Sequence, residues 1–197
     1  MKKGFRKRKQ KEYIKYIIIG CAVIAVVAAL IFGIRSCGVS HKTPEHVVED
    51  LIKFAVKGKT DKVADCYWAD EKGKKLLQKE IKADVAYYKA HEASKVEITD
   101  CKTIYEEKKY SYVYIIFNLI LENEEKYPCI RTYMVENKNK EYFVLPSSVI
   151  TEEMSKRAAE EYARFMTTDV YKDYVNAYDT FTKKNPGYEE KIAGKIG

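Results

Sequence analysis

The chain contains 197 residues, of which 33% are charged, and its formal net charge is +7 at pH 7. The excess positive charge lies in residues 1–35, which contain nine Lys or Arg and one Glu, whereas residues 36–197 contain 27 basic and 28 acidic residues. Most of the chain is therefore nearly neutral, and its basic composition does not predict a nucleic-acid partner.

Residues 16–34 form an apolar stretch of 19 residues without a charged side chain. As a helix it would span about 28 Å, close to the thickness of the hydrocarbon core of a bilayer. The preceding residues, 1–15, form a basic tail that suits the cytoplasmic side and anionic lipid head groups. The sequence therefore predicts a single transmembrane helix at the cell membrane, with a cytoplasmic amino terminus and an extracytoplasmic domain.

The residues after this span leave two alternatives to a retained helix. A cleaved signal peptide usually has a shorter apolar core, and no A-x-A site follows the stretch. Residues 34–37 (Ile-Arg-Ser-Cys) resemble a bacterial lipoprotein cleavage box with Cys37 as the lipidated residue, although Arg35 departs from that pattern. Either a retained span or a lipidated Cys37 would tether the same domain, through a linker at residues 35–42.

Three helices are predicted next. The first opens at Thr43 as the N-cap, with a proline and a glutamate in its first turn, and ends at Gly58. The second begins at Thr60 or Asp61 and extends through Tyr67 and Trp68. The third covers residues 74–91, and a cationic His91 at its carboxyl end would interact favourably with the helix dipole.

After the third helix, apolar residues no longer recur every three or four positions, as in helices, but at every second position, as in strands. Strands are predicted around residues 96–104, 111–121, 126–136 and 141–145, with turns at 123–125 and 137–139. Both faces of the strand at 111–121 are apolar, which predicts a central strand covered on both sides. The short turns predict an antiparallel meander, and helices followed by strands are typical of an α+β fold.

The carboxyl-terminal part is predicted to be helical over residues 147–185. Its apolar stripe runs from Met154 to Phe181, and residues 167–169 (Thr-Thr-Asp) are expected to break or kink the helix. The stripe is a candidate surface for a protein partner or for self-association. Residues 186–197 are predicted to form a flexible tail.

Residues 43–146 resemble a known family. The Thr-Pro-Glu start at residue 43, the segment at residues 56–63 (VKGKTDKV) and the strand at residues 139–145 (NKEYFVL) are similar to membrane-anchored nuclear transport factor 2-like (cystatin-like superfamily) domains of Gram-positive bacteria. The resemblance implies helices packed on a curved antiparallel sheet with a cone-like shape. The helical region at 147–185 would be an extension of that fold.

The sequence contains no recognisable catalytic, metal-binding or cofactor-binding motif. The three histidines lack the spacing of a zinc helix, and no nucleophile elbow, Walker loop or dinucleotide fingerprint occurs. Asp65, Asp70 and Asp100 are more typical of caps and solvent-exposed faces than of a general acid or base. Arg131 and Asn118 lie in mid-strand, where a solvent-exposed face and a pocket lining are both compatible with the pattern.

Tyrosine is the one residue type in clear excess, with 17 in the chain. High strand propensity explains many of them, but tyrosines also suit binding surfaces. The candidate binding surface consists of Trp68, Tyr112, Tyr114 and Tyr133. Cys66, Cys101 and Cys129 lie beyond the predicted span, where buried free thiols are favoured over a single disulfide.

These patterns predict a membrane-anchored extracytoplasmic domain that binds or scaffolds and is not an enzyme. One alternative is a subunit of a conjugation or secretion channel, with the carboxyl-terminal helix as its docking element. The second alternative is a small-molecule pocket enzyme, which would need a concave site containing an inward Asp, Tyr or His.

Overall fold

The computed structural model of the protein describes residues 38–69 and 73–196. The predicted basic tail, the apolar span at 16–34, Cys37 and Asp70 lie outside these residues. No helix in the described ranges is both long and apolar enough to cross a membrane.

Within the described residues, three helices precede the sheet: α1 (Pro44–Val56), α2 (Thr60–Asp65) and α3 (Lys74–Ala90). The predicted start of α1 is confirmed, because Thr43 Oγ1 accepts a hydrogen bond of 3.2 Å from the backbone N–H of His46. Gly58, with φ of +66°, follows the end of α1. This left-handed conformation is easy for glycine and costly for other residues, which explains why the helix stops there.

Helix α2 is shorter than predicted, and its N-cap is Lys59 without a side-chain hydrogen bond. Tyr67 and Trp68 lie beyond the helix: Tyr67 pairs with Val144 as a parallel bridge, and the Trp68 N–H donates to the Val144 carbonyl at 3.2 Å. The prediction of helix through Trp68 was wrong because the free edge of a strand offers these backbone groups partners that the local sequence does not reveal.

The sheet is an antiparallel meander of four strands in the order β1 (Lys95–Glu106), β2 (Tyr110–Ile120), β3 (Lys126–Lys138) and β4 (Glu141–Val144). Strand β2 is central and buried on both faces, as predicted. Register shifts at Ile98/Asp100 and Thr103/Tyr105 interrupt its pairing with β1. The β3–β4 turn comes later than predicted, because Asn139 and Lys140 adopt the positive φ values of the turn.

The two faces of the sheet are covered by different helices. Helices α1 to α3 cover the face formed by Val113, Ile115, Phe117 and Leu119, each of which is fully buried. Three further helices follow the sheet: α4 (Glu152–Phe165), α5 (Asp169–Lys184) and α6 (Tyr188–Ile196). On the opposite face, α4 packs on Tyr112 and Met134. The α+β class is therefore confirmed, with an open sheet between two helical layers.

The carboxyl-terminal helices differ from the prediction in one respect. The expected break is present, since Thr168 caps α5 by accepting a hydrogen bond from the Tyr171 N–H. Residues 188–196, however, form α6 and not a flexible tail, and Ile192 of this helix is buried. The tail prediction was wrong because α6 is stabilised by contacts with distant residues of α3 and β3, which the local sequence does not show.

Candidate binding site between α3 and β3

Arg131 is a half-buried cation on the face of β3 that faces α3. Its guanidinium carbon lies 5.1 Å from the centroid of the Tyr87 ring and 6.0 Å from that of Tyr88. The guanidinium makes no hydrogen bond or ion pair with any residue in the ranges 38–69 and 73–196. Burial lowers the pKa of Arg131, but the influence of Tyr88, Tyr133 and Asp84 raises it overall, so the group stays charged.

Asp84 lies on α3 close to this cation. Burial raises the pKa of the Asp84 carboxyl, Arg131 opposes that effect, and the nearby carboxyl of Glu80 adds to it, so the pKa is raised overall. Glu80 is itself fixed, because its Oε2 accepts hydrogen bonds of 3.3 Å from the N–H and 2.9 Å from the hydroxyl of Ser147. Asp84 and Arg131 therefore influence each other electrostatically without forming an ion pair within the part of the chain that the structure describes.

Tyrosine side chains surround these two groups. Burial raises the pKa of the hydroxyls of Tyr67, Tyr88 and Tyr133, so all three are neutral at physiological pH. The Tyr88 hydroxyl is buried and has no hydrogen-bond partner among the described residues. A buried hydroxyl without a partner costs about 1–3 kcal/mol, so this region has unused hydrogen-bonding capacity.

These groups define the candidate site: Arg131, Asp84, Tyr67, Tyr87, Tyr88 and Tyr133. An arginine with five N–H donors in a planar fork suits a carboxylate or a phosphate, and the adjacent aromatic rings suit a planar apolar group. Asp84 adds an acceptor for an ammonium or hydroxyl group. The arrangement can therefore bind a small anion that also carries a hydrogen-bond donor.

A second cluster surrounds His91, directly after α3. Its Nδ1 lies 2.9 Å from the Tyr188 hydroxyl, and its ring contacts those of Tyr87 and Tyr127 at centroid distances of 4.7 and 4.6 Å. Burial lowers the pKa of His91 to about 4. The expected cationic histidine at the helix terminus was therefore wrong: His91 is neutral because it lies among tyrosine rings and not in solvent.

The four residues of the predicted binding surface lie in separate places. Tyr112 and Tyr114 are buried by the carboxyl-terminal helices, and the Tyr114 ring stacks on Phe165 at 4.3 Å. Tyr133 lies on the opposite face, since it pairs with Val113. Trp68 is 46% exposed. The structure therefore brings only Tyr133 to the candidate site, while an edge of Tyr112 lines an open groove of about 650 Å³ beside α4.

The other residues considered from the sequence lie at different places in the fold. Asp65 is an exposed partner of Lys62, and Asp100 accepts a hydrogen bond of 2.7 Å from the Tyr114 hydroxyl. Asn118 lies on the α5 side of the sheet, away from Arg131. Arg131 is half-buried and packs beside the Tyr87 and Tyr88 rings, so it does not lie on a fully solvent-exposed face. Asp84 was missed, although an acidic residue on the stripe of Leu77, Ile81 and Tyr88 is a signal that could have revealed it.

The three described cysteines are free thiols. Burial raises the pKa of Cys66 and Cys129 well above the usual range and that of Cys101 to about 12, so these thiols are protonated and weakly nucleophilic. Within residues 38–69 and 73–196, no group of three or more metal-ligating side chains comes together.

Comparisons with known proteins give one structural likeness. No protein-family model matches the chain, and no curated protein is similar to it at a significant level. A solved structure from Campylobacter jejuni, described as a "putative NTF2-like transpeptidase", is similar with a TM-score of 0.40 and 17% sequence identity. The likeness covers 53% of this chain and 99% of that one.

Proposed function

We propose that the protein is a single-pass membrane protein whose extracytoplasmic domain binds a small carboxylate-bearing ligand at Arg131 and does not catalyse a reaction. The observation that carries the binding proposal is the half-buried guanidinium of Arg131, which has tyrosine rings beside it and no anionic partner bonded to it in the described part of the chain. A partly buried guanidinium without a hydrogen-bond acceptor costs free energy. A bound carboxylate would supply that acceptor, and this supports Arg131 as a ligand-binding residue.

The site supports a ligand with three recognisable parts. The fork of Arg131 would accept a carboxylate, the Tyr87 ring would pack against an aromatic or apolar group, and Asp84 would accept a hydrogen bond from an ammonium group. Asp84 and Arg131 carry opposite charges and are not paired with each other. A zwitterion such as an aromatic amino acid or the end of a peptide therefore complements both groups better than a simple anion does.

The membrane part of the proposal is supported by the apolar stretch at residues 16–34 and the basic tail before it. The order of three helices followed by an antiparallel meander agrees with what the nuclear transport factor 2-like resemblance implies. Residues of the carboxyl-terminal apolar stripe pack within the domain: Met154, Ala158 and Tyr162 pack against the sheet, and Phe181 is buried. This favours a self-contained domain and not a helix that docks on another subunit.

The binding proposal is tested by measuring the melting temperature of the full chain in detergent micelles with a series of four probes. Acetate supplies only a carboxylate, benzoate adds a ring, phenylalanine adds an ammonium group, and benzylamine lacks the carboxylate. We expect the melting temperature to rise most with phenylalanine, less with benzoate and least with acetate, and not to rise with benzylamine. Equal effects of phenylalanine and benzylamine would show that Arg131 does not select a carboxylate.

Asp84→Asn separates the roles of the two charged residues. This variant should lose the preference for phenylalanine over benzoate while it keeps the response to benzoate. The membrane proposal is tested separately on intact cells: the chain should resist alkaline extraction, and external protease should cleave the domain but not the amino-terminal tail. Release of the chain by alkali would contradict the anchor without affecting the binding result.

A further inference from the structure

An aromatic patch around one exposed tryptophan lies near residue 41, close to the start of the described chain. The patch consists of Trp68, Phe143, His41 and Lys138, and we call it the tryptophan patch. Trp68 is 46% exposed, with Phe143 edge-on at 5.4 Å and the Lys138 ammonium 4.0 Å from its ring centroid. The ring is therefore held in place while much of its surface faces outward.

Backbone hydrogen bonds connect this patch to the entering chain. The Tyr142 N–H donates to the His41 carbonyl at 3.1 Å, and His41 Nδ1 lies 2.7 Å from the Tyr142 carbonyl. His41 also stacks on Phe143, with the ring centroids 4.3 Å apart. The position of residue 41 is thus fixed against β4, within the tryptophan patch.

The length of the linker limits how far this patch can lie from the membrane. Six residues, 35–40, separate His41 from Ile34, the last residue of the apolar stretch. Even fully extended, that segment spans no more than about 25 Å. If residues 16–34 cross a bilayer, the domain's attachment point lies within that distance of the lipid surface, and the patch beside it is within reach of the head groups.

We propose that the tryptophan patch docks on the lipid surface, with Trp68 in the boundary between head groups and acyl chains. Tryptophan favours this boundary because its ring is apolar and its N–H is polar, while the exposed Lys42 and Lys140 suit anionic head groups. Lys138 is already paired with Glu136 at 3.3 Å and serves to hold the Trp68 ring. Docking would fix the orientation of the domain on the membrane. This inference rests on the membrane anchor proposed above and goes beyond it.

Trp68 is the sole tryptophan of the chain, so its fluorescence reports on this patch alone. The full chain is reconstituted into vesicles of phosphatidylcholine and phosphatidylglycerol, with or without bromine on the acyl chains. We expect bromine to reduce the emission about two-fold, because a ring at the head-group boundary lies within reach of the upper acyl chain. Emission should also move to shorter wavelength relative to protein in detergent.

The matched control moves the reporter to another surface. The double variant Trp68→Phe/Met166→Trp carries its sole tryptophan between α4 and α5, where Met166 is 40% exposed. Its emission should be unaffected by bromine. Equal emission of Trp68 with and without bromine, in vesicles from which alkali does not extract the protein, would overturn the docking while leaving the anchor intact. Extraction by alkali would overturn the anchor and the docking together.

Discussion

One carboxylate oxygen of Glu189 accepts hydrogen bonds from the hydroxyls of Tyr127, at 2.7 Å, and Tyr178, at 2.9 Å. It thereby joins α6 to the beginning of β3 and to α5. The next helix residues strengthen the attachment: Ile192 is buried, and Lys195 pairs with Glu92 at 3.0 Å. The end of the chain is therefore part of the folded domain.

Replacing Glu189 by alanine should destabilise the protein substantially. Both hydroxyls would lose a charged acceptor, and each such bond contributes about 1.5–3 kcal/mol, so we expect the free energy of unfolding to fall by roughly 3 kcal/mol. The exposed Glu190 is the matched control, and Glu190→Ala should change the free energy by less than about 0.5 kcal/mol. Urea unfolding followed by circular dichroism measures both. Similar losses for the two variants would contradict the role of Glu189.

Stability should depend on pH through His91. Its pKa is lowered to about 4 in the folded protein, whereas an exposed histidine titrates near 6.5. Between these values the unfolded chain binds more protons, so the free energy of unfolding decreases as pH falls from 6.5 to 4, by at most about 1.4 kcal/mol per pH unit. The contribution of neutral His91 is fully present above pH 6.5.

The variant His91→Phe isolates this effect. It should be less sensitive to pH between 6.5 and 4 than the wild type, as measured by urea unfolding at several pH values. The exposed His46 provides the control, because His46→Gln should leave the wild-type dependence in place. An unchanged pH profile in His91→Phe would show that His91 does not titrate with the lowered pKa.

Two glycines should respond to alanine in opposite directions. Gly58 has φ of +66°, so Gly58→Ala forces a strained left-handed conformation and should cost about 1 kcal/mol. Gly194 lies in α6 without a positive φ, and an added Cβ meets nothing within 4 Å. Gly194→Ala should therefore stabilise the protein by roughly 0.8 kcal/mol. Thermal unfolding of the two variants tests the signs, and a stabilising Gly58→Ala would contradict the assigned turn.

Local chemistry in the sequence was sufficient to predict much of the fold. The Thr43 cap, the glycine after α1 and the two apolar faces of β2 each depend on residues near each other in the chain. The sequence could not predict that Tyr67 pairs with Val144, that Tyr188 packs on His91, or that Tyr114 lies under Phe165. These contacts join distant segments, and they determine which aromatic residues are buried.

For the same reason, only part of the candidate site could be predicted from the sequence. Arg131 stood out as a cation in mid-strand, but its chemistry depends on Asp84 and Tyr88, which α3 brings from more than forty residues earlier in the chain. No local pattern shows that an arginine and an aspartate will be desolvated together without pairing. That feature arises from packing.

The most direct test of the account is a calorimetric titration of phenylalanine into the full chain and into Arg131→Gln at pH 7. We predict binding by the wild type and at least about tenfold weaker binding by the variant, since a lost hydrogen bond to a charged group costs about 1.5–3 kcal/mol. Arg164→Gln, which removes an exposed arginine outside the site, should bind like the wild type. Equal affinity of Arg131→Gln and the wild type, or no binding of phenylalanine, benzoate or acetate by the wild type, would contradict the proposed function.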